Sequence, residues 1–285
     1  MKVTDILASK KVTISCELFP PKHGTELEKA RHTVAETVDL RPDFISVTYG
    51  AAGNTAQFTA EIAEEAVSRG ASVVAHLTCV SADKSDVHEY LDTLKKYCVE
   101  NVLALRGDMP QGREPKTDFL HASDLALEIA KYGDFCIGGA CYPEGHPEAP
   151  SLAFDIETLK IKSQCGISFF TSQLFFDNEI FYAFLSKLRR AGVDTPVIAG
   201  VMPIFRASQL SNARSLSGTM LPRRLREIVE RFGDDPAAMR QAGIAYATEQ
   251  IIDLIANGVN NIHVYTMNRP DIAGCILNNL SEIWK

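Results

Sequence analysis

The stretch Ser72-Val73-Val74-Ala75-His76-Leu77-Thr78-Cys79-Val80 is nearly continuous in apolar residues and does not alternate. A strand with one wet face alternates apolar and polar residues. A strand covered on both faces reads as an unbroken apolar run, which marks a parallel sheet packed under helices. Seven more runs share this character: Val12–Leu18, Phe44–Tyr49, Asn101–Leu105, Phe135–Cys141, Phe169–Phe176, Val197–Met202 and Asn261–Tyr265. Between them lie segments of helical period with recognisable starts and stops. Asn54 opens one that runs toward Gly70, Ser81–Asp83 precede one ending near Tyr97, Asp177-Asn178 open one ending at Gly192, and Asp234-Asp235-Pro236 open one ending at Gly258. Eight such units in 285 residues predict a closed parallel (β/α)8 TIM barrel that fills residues 1–285 as a single domain. An open doubly wound sheet usually has fewer strands and a Gly-rich phosphate turn, and no GxGxxG follows any run. The least regular connection, Ala207 to Ala237, has room for an extra helix.

Composition narrows the function classes. Hydrophobic residues are 46% and charged residues 23%, as in an ordinary packed domain. A net charge of -7 argues against a nucleic-acid backbone binder, and the short clusters Arg189-Arg190 and Arg223-Arg224 read as solvated helix faces. The seven cysteines are odd in number and never spaced as CxxC, which indicates neither a disulfide framework nor a zinc cluster. The opening MKVTDILASKK lacks the apolar stretch of a signal peptide, and no run is long enough to span a bilayer. A cytoplasmic protein is expected.

In a barrel of this kind the reactive face is built from the C-terminal strand ends. The residues there are Glu17, Thr48 with Tyr49, His76, Arg106 with Asp108, Tyr142 with His146, Gln173, and Asn268 with Arg269. Glu17 lies in the apolar run Ile14-Ser15-Cys16-Glu17-Leu18-Phe19, ended by Pro20-Pro21. Apolar surroundings disfavour a carboxylate, so its pKa is expected to rise toward that of a general acid. Pairing with a basic neighbour that staples the barrel mouth is the other reading of the same position. His76 and His146 read equally as hydrogen-bonded packing residues, and no H-x-H strand or dense His/Asp set points to a metal. Arg106-Gly107-Asp108 is either a structural ion pair or a ligand contact around a residue that lets backbone approach closely. Met109-Pro110-Gln111-Gly112 follows as a pocket-lining turn, and Tyr49-Gly50-Ala51-Ala52-Gly53-Asn54 sets small residues before a helix start.

Taken together, these stretches resemble the methylenetetrahydrofolate reductase family in order along nearly the whole chain. The segments that carry the resemblance are Cys16-Glu17-Leu18-Phe19-Pro20-Pro21-Lys22, Ser46-Val47-Thr48-Tyr49-Gly50-Ala51, Ala75-His76-Leu77-Thr78-Cys79 and Ala104-Leu105-Arg106-Gly107-Asp108. They continue as Ala122-Ser123-Asp124-Leu125, Tyr142-Pro143-Glu144-Gly145-His146-Pro147-Glu148-Ala149, Gln173-Leu174-Phe175-Phe176-Asp177 and Val264-Tyr265-Thr266-Met267-Asn268-Arg269. The resemblance implies a barrel holding FAD, lined by Thr48, Tyr49, Ala51, His76, Arg106, Gly107, Asp108, Ala122, Tyr142, His146, Ala149, Asp155 and Lys162. It also implies a folate face of Glu17, Asp108, Gln173 and Arg269, with Thr48 near the substrate.

The implied reaction is ping-pong. NAD(P)H reduces the flavin, the flavin then passes hydride to methylenetetrahydrofolate, and Glu17 supplies the proton that opens the five-membered ring. Asp108 would favour the cationic iminium, Gln173 would hold a pterin edge, Arg269 would contact the benzoyl-glutamate portion, and Lys162 with Arg106 would neutralise FAD phosphates. The chain departs from the family at Ala213, where an aromatic residue often stacks on the nicotinamide or folate, with Phe205 nearby. Thr158 and Ile161 also replace common polar flavin contacts. These departures bear on electron supply and leave open a route in which a partner protein reduces the FAD. A catalytically silent scaffold and a flavin-free barrel lyase are the competing classes, and a homo-oligomer is the expected assembly.

Overall fold

The computed structural model describes residues 1–49, 55–80, 82–108 and 118–284. Eight parallel strands, β1 (Thr13–Leu18), β2 (Ile45–Val47), β3 (Val73–Thr78), β4 (Asn101–Leu105), β5 (Cys136–Cys141), β6 (Ile167–Ser172), β7 (Val197–Val201) and β8 (Asn261–Val264), close in sequence order into a barrel. The helices among the described residues are α1 (Val3–Ser9), α2 (Leu27–Asp39), α3 (Thr55–Ser68), α4 (Lys84–Lys96), α5 (Ala122–Tyr132), α6 (Leu152–Gln164), α7 (Asn178–Arg190), α8 (Ala207–Ser217), α9 (Arg223–Phe232), α10 (Pro236–Ala256), α11 (Pro270–Asn279) and α12 (Ser281–Trp284). None of these is long and apolar enough to cross a membrane.

The expected capping residues act as the sequence implies. Asp83 accepts from Asp86 N–H at the start of α4, Asp177 from Glu179 N–H at α7, and Asp235 from Ala237 and Ala238 N–H at α10, where Pro236 occupies the first turn. Asn54, expected to open α3, lies outside the described residues. The connection from Ala207 to Ala237 carries two helices, α8 and α9, where the sequence left room for one.

The sixth strand needs correcting. The apolar run Phe169–Phe176 suggested a strand over those residues, but β6 spans Ile167–Ser172. Phe175 is fully buried against the Phe181 ring, 4.6 Å between centroids, and Phe176 packs with Met202 and Ile204. Apolar character continues past the strand because the loop leaving it is itself covered, and β6 starts early because its register against β5 shifts between Ile137 and Gly138.

The base of the barrel is an apolar layer made by Phe44, Val74, Leu103, Cys136, Phe169 and Ile198, plugged by Val3 and Ile6 of α1. Composition gave no sign of this plug. The Asn101 side chain ties it down, accepting from Val3 N–H at 2.7 Å and donating to the Met1 and Val73 carbonyls at 3.1 and 3.0 Å. Gly138 gives the Phe169 ring its space, since a Cβ there would meet the ring at 2.4 Å.

Overpacking of a filled core typically costs ~1–3 kcal/mol. Gly138→Ala should therefore lower unfolding stability by about 2 kcal/mol, and Phe169→Leu in the same chain should recover part of that loss. Strictly additive losses in urea denaturation would show that the two side chains do not compete for one space.

Candidate active site

Above the apolar base, β1, β2, β3 and β8 turn polar side chains into the barrel. Ser15, Glu17, Ser46, His76 and His263 are all buried. The parallel pairing of β1 with β8 sets Ser15 opposite His263. Ser15 Oγ lies 2.8 Å from His263 Nδ1 and 3.1 Å from the Ile262 carbonyl oxygen. If the hydroxyl donates to that carbonyl, Nδ1–H donates to the hydroxyl and Nε2 is left facing Glu17, whose Oε2 lies 3.9 Å away. Glu17 is 5% exposed and His263 2% exposed, so the carboxyl group and the imidazole face each other in a layer that water hardly reaches.

The sequence reading of Glu17 offered a general acid or a carboxylate with a basic neighbour. The structure supplies the neighbour without removing the first reading. His263 was missed, although the signal was present. It lies in an apolar strand two residues before Tyr265, the same pattern that singled out His76.

His76 Nε2 lies 2.5 Å from Ser46 Oγ. Burial pushes its pKa down to about 3, with the nearby His263 adding to the effect, so the ring is neutral at ordinary pH. The exit of β1 is clamped to β8. Thr266 Oγ1 donates to the Glu17 carbonyl at 2.5 Å, and Asn268 both accepts from Phe19 N–H and donates to the Phe19 carbonyl, at 2.8 and 2.9 Å. Met267 and Asn268 hold left-handed backbone, each with φ 54°, to make this clamp.

Across the mouth a second group gathers around the loop after β5. Tyr142 and His146 pack edge to face, 4.6 Å between centroids. Asp155, buried in the first turn of α6, accepts from His146 N–H at 3.0 Å, and His146 Nδ1 accepts from Glu148 N–H at 3.1 Å. That bond fixes the neutral imidazole with its proton on Nε2. Lys162 Nζ donates to the Ala140 carbonyl at 3.1 Å; burial lowers its pKa and Asp155 opposes that shift. Burial raises the pKa of Asp155, against the His146 N–H bond and the charge of Lys162. Ala149 N–H closes the turn onto the His146 carbonyl, and Ala122 opens α5 from a buried position.

Arg106 forms a forked pair with Glu148, at 2.6 and 2.9 Å, so the structural ion pair considered with Asp108 is not the one formed. Asp108 is exposed, and no ion pair to it is found among the described residues. Gly107 takes φ +85°, and a Cβ there would meet Thr78 at 2.9 Å, so the glycine serves the packing of β3 as well as the loop.

The remaining expected residues are distributed around the rim. Thr48 N–H donates to the Leu18 carbonyl, and Tyr49 packs edge to face on Tyr90 at 5.6 Å. Gln173 Oε1 accepts from Leu174 N–H at 3.0 Å, leaving its amide nitrogen without a hydrogen bond among the described residues. Arg269 is held by Asp271 at 2.7 and 2.8 Å, with its guanidinium carbon 5.2 Å from the Phe205 ring centroid. Ala51, the small-residue turn after Tyr49 and the turn from Met109 to Gly112 lie outside the described residues. Glu144 was quoted only as part of a motif; its Oε2 accepts from Met220 N–H at 2.8 Å and joins the loop after β5 to the segment before α9.

The family model for methylenetetrahydrofolate reductase matches residues 2–281. The chain is 34% identical over 302 residues to "Methylenetetrahydrofolate reductase (NADH) 1" of Arabidopsis thaliana, covering 99% of this chain and 50% of that protein. It therefore spans about half the length of that relative. It is 30% identical over 271 residues to "5,10-methylenetetrahydrofolate reductase" of Escherichia coli strain K12, covering 94% of this chain and 90% of that one. A solved structure from Clostridium thermocellum, described as an uncharacterized protein that binds two copies of 5-methyl-5,6,7,8-tetrahydrofolic acid, superposes with a TM-score of 0.65 at 14% identity, covering 99% of each chain. At that identity the likeness supports the fold alone.

The neutral His76 ties stability to pH. An unfolded histidine titrates near 6.5, so the unfolded chain binds this proton where the folded chain does not. The contribution is present above pH 6.5 and is lost as the pH falls toward 3. The protein should lose about 2 kcal/mol between pH 6.5 and 4.5 from this group. Urea unfolding of His76→Asn over the same window should show a shallower decline, and parallel slopes would remove His76 from the account.

Proposed function

Because this chain belongs to the methylenetetrahydrofolate reductase family, we propose that it reduces 5,10-methylenetetrahydrofolate to 5-methyltetrahydrofolate with the aid of FAD. Glu17 carries this reading, as a carboxyl group buried at the strand ends beside His263, at a mouth otherwise lined with hydrogen-bonding side chains.

The residues after β4 and β5 fit a flavin by the chemistry of their donors. Tyr142 and His146 offer ring surfaces, Arg106 and Lys162 offer positive charge for a diphosphate, and the neutral His146 keeps Nε2–H as a donor. When bound, FAD would supply hydride transfer between the reduced nicotinamide and the folate methylene carbon. Glu17 would give its proton to the departing ring nitrogen, and the charge left on Glu17 would be stabilised by His263 with its proton on Nε2, the tautomer formed when the Ser15 hydroxyl donates to Nδ1 instead of to the Ile262 carbonyl. Asp108, exposed at the end of β4, would favour positive charge on the opened ring through space. The Gln173 amide nitrogen is available to a pterin edge, and Arg269 to the carboxylates of the glutamate portion.

The electron-donor side supports a second reading. Ala213 is 4% exposed and packs with Leu210, Leu225 and Met239, so α8 presents no aromatic platform at that position. We therefore keep reduction of the FAD by a partner protein beside reduction by NAD(P)H. Anaerobic stopped-flow mixing of the flavin-loaded protein with NADH and with NADPH separates the two. Rapid bleaching by either removes the need for a partner, whereas reduction only by dithionite supports one.

The role of Glu17 is tested by Glu17→Gln. Flavin binding and its reduction by the competent donor should persist, while folate reduction should fall by roughly 10²–10⁴-fold, the usual contribution of a general acid. Parallel loss of both half-reactions would make Glu17 a structural residue.

A further inference from the structure

Tyr265 reaches across the barrel mouth to a strand that its own strand does not pair with. It follows β8, which lies between β7 and β1, yet its hydroxyl donates to the Ser172 carbonyl at the end of β6, at 2.6 Å. Strand β7 stands between the two, and Gly200 is what lets the ring pass. A Cβ on Gly200 would collide with the Ser172 carbonyl oxygen and lie 2.6 Å from the Tyr265 ring. Burial raises the pKa of the phenol well above its usual value, and the charge of Glu17 adds to that, so the hydroxyl keeps its proton and stays a donor. The same ring packs edge to face on His263, 5.1 Å between centroids. One side chain thus touches both the imidazole beside Glu17 and the peptide that leads into Gln173.

That peptide is held by several bonds at once. Gln173 N–H donates to the Cys141 carbonyl at 2.7 Å, and Ser172 Oγ donates to the Gln173 carbonyl at 3.0 Å while accepting from Gly200 N–H at 2.9 Å. Leu174 N–H occupies Gln173 Oε1, which aims the free end of the amide. These bonds come from β5, β6 and β7, whereas the bond from Tyr265 comes from the side that carries His263. Resting on the folate reading above, we propose that Tyr265 is a positioning residue for Gln173. Its hydroxyl sets the Gln173 amide at a fixed distance from the Glu17–His263 pair, so that the group holding the pterin edge and the group supplying the proton meet the same bound folate. The hydroxyl, already engaged by Ser172, acts through the Ser172–Gln173 peptide and not by touching the ligand. A small error in such a distance weakens binding and slows the reaction together, because both groups must reach one molecule.

A double-mutant cycle in the flavin-loaded protein reads this coupling. Tyr265→Phe keeps the ring and removes the bond, so flavin binding and reduction of the flavin by dithionite should stay as they are. The dissociation constant for 5-methyltetrahydrofolate should rise about three- to tenfold, as expected for the loss of one neutral hydrogen bond. Gln173→Ala should raise it at least as much, and the double variant should bind no more weakly than Gln173→Ala alone, because the hydroxyl then has no amide left to position. Unchanged folate affinity in Tyr265→Phe, or losses that add in the double variant, overturns the proposal. So does a loss of flavin binding in Tyr265→Phe, which would make the residue a general brace of the mouth. Folate affinity unaffected by Gln173→Ala would remove Gln173 from the pterin, and failure of the unaltered protein to bind the folate would overturn the folate reading itself; either result takes this inference with it.

Discussion

The barrel closes only if β8 pairs with β1, and it does so in one register: Thr13 with Asn261, Ile14 with Ile262, Ser15 with His263 and Cys16 with Val264. Side chains alternate across a strand, so a slip of one residue would turn Glu17 or His263 out of the barrel and drive Cys16 or Val264 into it. The seam is secured at both ends. Thr13 Oγ1 donates to Asn261 Oδ1 at 2.9 Å near the base, and Thr266 with Asn268 holds the backbone of Glu17 and Phe19 at the mouth. The approach of Glu17 to His263 inside the barrel is thus a by-product of the bond pattern that closes it. A polar layer of this kind is tolerable because Ser15 pairs with His263 and Ser46 with His76, and because an apolar layer below keeps them in place.

Much of this was legible in the chain because unbroken apolar runs, turn glycines and capping aspartates are local signals. All eight strands lie within or close to the expected runs, and Asp83, Asp177 and Asp235 cap the helices they were expected to begin. The misses share a cause, which is that they depend on contacts between distant residues. Phe175 and Phe176 read as strand because burial was taken for sheet, whereas a covered loop has the same composition. The α1 plug was invisible because seven residues of mixed character reveal nothing until Val3 and Ile6 meet Phe169. Arg106 was read with the carboxylate two residues away, but its partner is Glu148, brought in by the loop after β5. His263 was available to the reasoning applied to His76, but only the β1–β8 register reveals that it faces Glu17.

The two histidines show how one chemical group is set to different uses by its neighbours. His76 has a serine partner, and its deep burial with a second imidazole nearby favours the uncharged ring. His263 has a serine on one side and a carboxylate 3.9 Å away on the other. That difference leaves a carboxyl group beside an imidazole on the β1–β8 side and a serine–imidazole hydrogen bond on the β3 side. Neither environment could be assigned from a histidine and its flanking residues alone.

The charges at the rim follow a further rule. Arg106 with Glu148 and Arg269 with Asp271 are well-formed pairs, yet each sits where solvent reaches it. Exposed pairs of this sort contribute only about 0–1 kcal/mol, so a phosphate or carboxylate from a ligand can share or replace the protein's own anion at small cost. The resident carboxylates hold both guanidinium groups in forked pairs, the geometry in which a guanidinium also takes a phosphate or a ligand carboxylate.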